Sequence, residues 1–171
     1  TVPSNTPLKL DTSNGNIEVK GTTSGGIIET SNGSIVLEQV KGDFEATTSN
    51  GEVEIDTIDG NAFVRTSNGE VVVREAKGEF NLKTSNGKVS FSGEMTPGGS
   101  NRLVTSNGSI NVDLTGTPSL HVDASTSNGE VKHPDVPILT TMAKTSHVVG
   151  TIGAAEADLY IETTNGDVII E

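Results

Sequence analysis

The sequence predicts an all-β protein, a single-stranded parallel β-solenoid (β-helix) of about nine rungs with an 18-residue period. Three observations lead there. The four residues Thr-Ser-Asn-Gly recur at a fixed spacing. Each copy is followed by two apolar residues alternating with polar ones, the period-two signature of a half-buried strand. Thr, Val and Ile supply 52 of the 171 residues, which favours strand over helix.

The motif begins at Thr12, Thr30, Thr48, Thr66, Thr84, Thr105 and Thr126, and returns as Thr-Thr-Asn-Gly at Thr163. The steps are 18, 18, 18, 18, 21, 21 and 37 residues. The last step reads as 19 plus 18 if Thr145-Ser146-His147-Val148 is a decayed copy with His147 in the Asn position, which makes nine copies. One solenoid domain is therefore expected over residues 1–171. The chain enters through a half-rung at 1–11, where Leu8 and Leu10 occupy a strand one step before Thr12. Regular rungs fill 12–93, irregular rungs with loop insertions fill 94–162, and a final strand occupies 163–171.

Each unit holds two similar halves. After Asn-Gly come the apolar pairs Ile17/Val19, Ile35/Leu37, Val53/Ile55, Val71/Val73, Val89/Phe91 and Ile110/Val112. After a second Gly come Phe44/Ala46, Ala62/Val64 and Phe80/Leu82. The three-residue insertions fall in Glu94–Asn101 and Gly116–Ser119, and His133–Pro137 is the most irregular stretch. All three read as loops at the rung ends. The strand Asp167–Glu171 is expected to leave an open sheet edge unless something covers it, so that either the native chain continues or rods associate end to end.

Asn-Gly between alternating strands is also a hairpin signal, so an antiparallel meander is the rival fold. A meander sets unlike positions side by side and gives no reason to repeat the same four residues. A parallel stack sets like on like. At that register the charges also match: Lys41, Asp59 and Lys77 alternate in sign, Glu38 and Asp56 lie between Lys20 and Arg74, and Glu52 and Glu70 end against Lys88. Continuing the alternation through the corner turns the motif Thr and Asn inward and Ser outward. Asn14, Asn32, Asn50, Asn68, Asn86, Asn107, Asn128 and Asn165 then form an internal Asn ladder, because a buried amide left without a partner costs about 1–3 kcal/mol. Inward Asn side chains would also make Asn32-Gly-Ser and Asn107-Gly-Ser poor glycosylation acceptors.

Units of the form T-S-N-G-x-h-x-h with a second Gly half a unit later resemble the adhesin-type β-solenoid repeat domains of bacterial envelope and fungal surface proteins. The resemblance spans Leu8–Glu171. It implies a non-enzymatic repeat domain that is secreted or displayed at the cell surface, with an adhesive or scaffolding role. Its partner would be a cell-surface glycan or protein. The motif is architectural and carries no catalytic residues with it.

Composition narrows the function further. A net charge of −12 excludes a nucleic-acid binder that relies on a basic surface and favours cationic partners. Cys is absent, which excludes a disulfide scaffold. No apolar run approaches the ~18–20 residues that a membrane-spanning helix needs, so no membrane insertion is expected within this chain. No cofactor is expected. The turns lack the Asp column of a calcium β-roll, leaving only incidental Ca²⁺ binding by exposed carboxylates such as Glu52, Glu54, Asp56 and Glu70. His133 and Asp135 make two ligands at most, fewer than a metal site requires.

The alternative is a polysaccharide-active lyase or hydrolase, or a carbohydrate-binding module, with a groove near the irregular rungs at 94–137. Its acid–base candidates are His121, Asp123, Arg102 and Tyr160. His121 and Asp123 share a face, and Asp123 is expected beside Arg102 on the neighbouring rung. Sugar platforms usually need aromatic faces. Aromatics are only 3% of the chain, and Phe63 is the one expected to point outward.

Overall fold

A computed structural model describes residues 6–171. The first five residues of the expected half-rung 1–11 lie outside them. Among the described residues every regular element is a strand. The chain runs β1 (Leu8–Asn14), β2 (Ile17–Lys20), β3 (Gly26–Asn32), β4 (Ile35–Lys41), β5 (Phe44–Asn50), β6 (Val53–Asp59), β7 (Ala62–Arg65) and β8 (Val71–Gly78). It continues with β9 (Phe80–Lys83), β10 (Val89–Met95), β11 (Ser100–Asn107), β12 (Ile110–Leu114), β13 (Leu120–Asn128) and β14 (Val131–Lys132). It closes with β15 (Leu139–Lys144), β16 (His147–Ile152), β17 (Ala157–Asn165) and β18 (Val168–Ile170).

Two sheets face each other across a thin core. Sheet A has the order β1-β3-β5-β7-β9-β11-β17-β13-β16-β15, and sheet B the order β14-β18-β12-β10-β8-β6-β4-β2. Pairing through β1–β14, β17 and β18 is parallel, with like residues opposite like: Thr12 faces Thr30, and Thr30 faces Thr48. The apolar pairs after Asn-Gly line the inner face of sheet B, and those after the second Gly line sheet A. Ile35, Leu37, Val53, Ile55, Ala46, Val64 and Leu82 are fully buried. Phe80 and Phe91 pack tilted ring against ring at 4.8 Å across the gap.

The corner explains the repeated motif residue by residue. The Thr is buried, and its hydroxyl donates to the Gly carbonyl of the rung beneath, as in Thr48 Oγ1 to Gly33 O (3.0 Å) and Thr84 Oγ1 to Gly69 O (2.9 Å). The Ser faces out. The Asn amide nitrogen donates to the Asn Oδ1 of the neighbouring rung, as in Asn50 to Asn32 and Asn68 to Asn50 (2.9 Å each). The Gly lies against the backbone of the previous Gly: a Cβ on Gly51 would drive into the Gly33 carbonyl, and one on Gly69 into that of Gly51. Beyond Gly15, which has no rung beneath it, no side chain fits that column.

Four expectations need correction. First, the superhelix makes about six successive turns, β1–β2 to β11–β12, rather than nine. Second, Thr145–Val148 is not a decayed rung. β16 runs antiparallel to β13, with Ser125 opposite His147, and β15 runs antiparallel to β16. The segment lacks the Asn-Gly that turns every true rung, so it folds back as a hairpin. Third, the last strand is no open edge. β17 and β18 insert between rungs β11–β12 and β13–β14, parallel to both neighbours. Asn165 donates to Asn107 (2.8 Å) and accepts from Asn128 (2.9 Å), so the ladder runs 107–165–128 in space. Fourth, the ladder Asn residues are solvent-exposed at the corner; only the Thr is buried. The chain has already begun to turn at Ser, so strict alternation ends one residue early.

Charge columns hold in part. Lys20 pairs with Glu38, and Lys41 with Asp59 at 3.7 Å. Lys77 reaches Glu94 (3.2 Å) instead of Asp59, and Arg74 reaches Glu54 instead of Asp56. Lys88 takes part in none of the described ion pairs. Sheet B bends where Gln39, Thr57 and Glu75, 18 residues apart, adopt left-handed φ of 53°, 65° and 47°. The unit starting at Thr84 lacks this residue, and the β8–β10 register shifts between Phe91 and Gly93.

Interior corner positions should therefore be the least tolerant in the molecule. Asn68→Ala removes two ladder bonds and is expected to cost about 1–3 kcal/mol. Gly69→Ala forces backbone apart and should cost at least about 2 kcal/mol. Ser67→Ala, on the solvent side of the same motif, should be near neutral. Denaturant melts of the three variants check the ranking.

Candidate functional site

The outer face of sheet A gathers the chemistry-bearing residues. Strand register sets one outward column across it: Ile27, Glu45, Phe63, Asn81, Arg102, Tyr160 and Asp123 stand opposite one another in turn. All belong to strands whose alternate residues fill the core, so their direction follows from the pleat.

Toward the C-terminal rungs the column becomes a polar cluster. The Arg102 guanidinium lies 4.3 Å from the centre of the Tyr160 ring, a cation–π contact, and its Nη2 stands 3.5 Å from Glu162 Oε2. The Tyr160 hydroxyl donates to the same Glu162 oxygen at 2.9 Å. Desolvation, then the hydrogen bond to Glu162, pushes the Tyr160 phenol above the usual tyrosine value. One strand on, His147 Nε2 and Asp123 Oδ1 are 2.9 Å apart. His121 Nδ1 lies 3.6 Å from Asp158 Oδ1.

All four candidate residues thus share one face, but not in the expected pairs. Asp123 does not neighbour Arg102, because β17 stands between β11 and β13 and places Tyr160 there. Asp123 is held by His147, and His121 is held by Asp158. Glu162, Asp158 and His147 went unread in the sequence as partners. Their placement depends on the insertion of β17 and the fold-back of β16, neither of which leaves a periodic trace. His133 Nδ1 lies 3.3 Å from the Val136 carbonyl and ties its own loop. Among the described residues no group of three or more His, Asp or Glu is arranged to hold a metal ion.

Toward the N-terminal rungs the same column borders a shallow depression of about 520 Å³, whose lining includes Ile27, Asp43, Glu45, Phe63, Glu79 and Asn81. Phe63 is 40% exposed and Ile27 42%. The lining holds three carboxylates and no cation. Asn81, opposite Arg102, joins the depression to the polar cluster.

Asn101 is a further residue the sequence did not flag. It is buried, its Oδ1 accepts the Phe80 N–H (2.9 Å), and its Nδ2 donates to the Asp158 carbonyl (3.1 Å). In regular rungs the equivalent N–H finds a backbone carbonyl, as Phe44 does at Asn61. The insertion at 96–99 displaces that carbonyl, and a side chain replaces it.

The whole chain, residues 1–171, matches the family model Toastrack DUF4097. The chain belongs to this family. No curated protein and no solved structure matches it. The name Toastrack DUF4097 carries no substrate, partner or reaction, so the family agrees with the repeat architecture and leaves the activity of this face open. Among the described residues of this Toastrack domain, no helix is long and apolar enough to cross a membrane.

Two outcomes follow for this face. Asn101→Ala strands one N–H and one carbonyl and should cost about 2–3 kcal/mol by thermal melt. Tyr160 is the sole tyrosine, so absorbance at alkaline pH reads it alone. Its midpoint should lie above the ordinary ~10, and Glu162→Gln should lower it. The folded value exceeds the unfolded one, so Tyr160 adds stability that is intact below the ordinary tyrosine range and disappears as pH rises through the folded value.

Proposed function

We propose that this Toastrack domain is a non-enzymatic recognition scaffold with an adhesive or scaffolding role, secreted or displayed at the cell surface, and that sheet A's outer face is its contact surface. One observation carries the reading. Phe63 and Ile27 stand exposed beside Asp43, Glu45 and Glu79 in a depression without a cation. Within the depression the exposed apolar groups stand among three carboxylates, with Lys9 opposite Ile27 at its rim, and this local excess of negative charge suits a partner of opposite charge that brings apolar contact of its own. The partner is a basic protein segment. The stacked corners hold this face rigid, so little ordering cost attends binding.

The test is biolayer interferometry against an immobilised Lys- and Leu-bearing peptide, with an acidic glycan as the opposing probe. Binding that weakens with salt and falls at least about tenfold in Phe63→Ser and in Glu45→Lys supports the reading. Both sites are exposed, and circular dichroism verifies the fold. Binding to the acidic glycan alone, or equal binding by both variants, sinks it.

The polysaccharide-active alternative draws on a different observation, the Arg102–Tyr160–Glu162 and Asp123–His147 groupings on the same face. It predicts new reducing ends or unsaturated uronates from a polyanionic glycan, lost in Asp123→Asn. Such turnover would replace the scaffold reading.

A further inference from the structure

The ladder is built from eight Asn-Gly dipeptides, and Asn-Gly is the sequence most prone to self-modification. With no side chain on the following residue, the Gly nitrogen can reach the Asn Cγ. We propose that Asn128–Gly129, at the spatial end of the stack, is a site of spontaneous deamidation, and that the other seven dipeptides are protected by the rung above or below.

Seven Gly N–H groups are each donated to the backbone carbonyl of the adjacent ladder Asn. Gly15 donates to Asn32 (2.9 Å), Gly51 to Asn68 (3.0 Å), Gly108 to Asn165 (2.9 Å) and Gly166 to Asn128 (3.0 Å); Gly33, Gly69 and Gly87 follow the same rule. That bond holds the proton that must leave and restrains the peptide plane. Gly129 is exposed, and its N–H makes no described hydrogen bond. The fold-back hairpin grips either side of the corner, through Thr126 N–H to the Ser146 carbonyl (2.9 Å) and Val131 N–H to the Thr145 carbonyl (2.7 Å), and misses Gly129 between them. The Asn128 amide, like that of Asn14 at the opposite end, is held by one ladder bond. Its Nδ2 donates to Asn165 Oδ1 at 2.9 Å, while its own Oδ1 accepts no described bond. Interior ladder amides are held at both atoms.

The step needs only water. The Gly129 nitrogen loses its proton to hydroxide and bonds to Asn128 Cγ. The Cγ–Nδ2 bond breaks, and Nδ2 leaves as ammonia after taking a proton from water. Water then opens the cyclic imide at either carbonyl, giving aspartate or isoaspartate. No oxidation state changes. The product has a carboxylate oxygen where the donor stood, facing Asn165 Oδ1. The last ladder bond is lost, and the end rung β13–β14 loosens with age.

The experiment incubates the native protein at mildly alkaline pH and follows each Asn-Gly by peptide mapping with isoaspartate-resolving mass spectrometry. A denatured sample gives the reference rates, since the eight sites have nearly the same neighbours. In denaturant the eight should convert at comparable rates. In the native protein Asn128 should convert at least about tenfold faster than any interior site, and faster than Asn14 at the opposite end, because its Gly N–H makes no described bond whereas Gly15 N–H is held by the Asn32 carbonyl, and because an end rung opens without unstacking others. Asn128→Ser should remove the early product without passing it to another site. The proposal is overturned if Asn128 converts no faster than Asn50, Asn68 or Asn86 in the native state, or if the early product persists in Asn128→Ser.

Discussion

Everything in this molecule depends on the contact between one Thr-Ser-Asn-Gly corner and the next. Four terms act together there: a buried Thr hydroxyl on a Gly carbonyl, an amide on an amide, a Gly N–H on an Asn carbonyl, and glycine against glycine with no room for Cβ. Each is modest alone, about 0.5–1.5 kcal/mol for a net hydrogen bond. Repeated along the stack, they fix the register of both sheets. A slip by one residue would turn every core side chain to solvent. The thin, aromatic-poor core is sufficient because the corners carry the alignment.

The same contact accounts for the out-of-order rung. The Thr163 motif, although last in the chain, has both faces of a corner to offer. Thr163 donates to the Gly108 carbonyl and Thr126 to the Gly166 carbonyl, both at 2.8 Å. A segment with this motif gains most where it has a corner on each side. The antiparallel hairpin β15–β16 lacks the motif and takes the end of sheet A, where only one partner is needed. Its exposed Leu139 and Met142 mark it as the less finished edge.

A face that is flat, rigid and repetitive presents side chains in columns, and its function is set by which residues stand in them. On sheet A the columns bring the few apolar exposed groups beside carboxylates at one end. They bring the Arg102, Tyr160 and Asp123 pairs together at the other. The corners constrain none of these residues, so the recognition surface can vary while the stack holds.

By itself the sequence determined the all-β class, the parallel register over Thr12–Asn107, the identity of the core pairs and the ladder residues. Those features are local and periodic, and a period of 18 with alternating apolar residues admits few other solutions. Even single positions were legible: Phe63 outward, Ala62 and Val64 inward. Only the tertiary structure decided the order of the last rungs, the fold-back of β15–β16, the partners of Asp123 and His121, and the burial of Asn101. Two segments with the same motif in the same phase, at Thr126 and Thr163, fit either slot equally well by pattern. Which one lies next to Thr105 is settled by chain connectivity and by the number of corners each can satisfy. That information is held in the stacked whole and in no window of the chain.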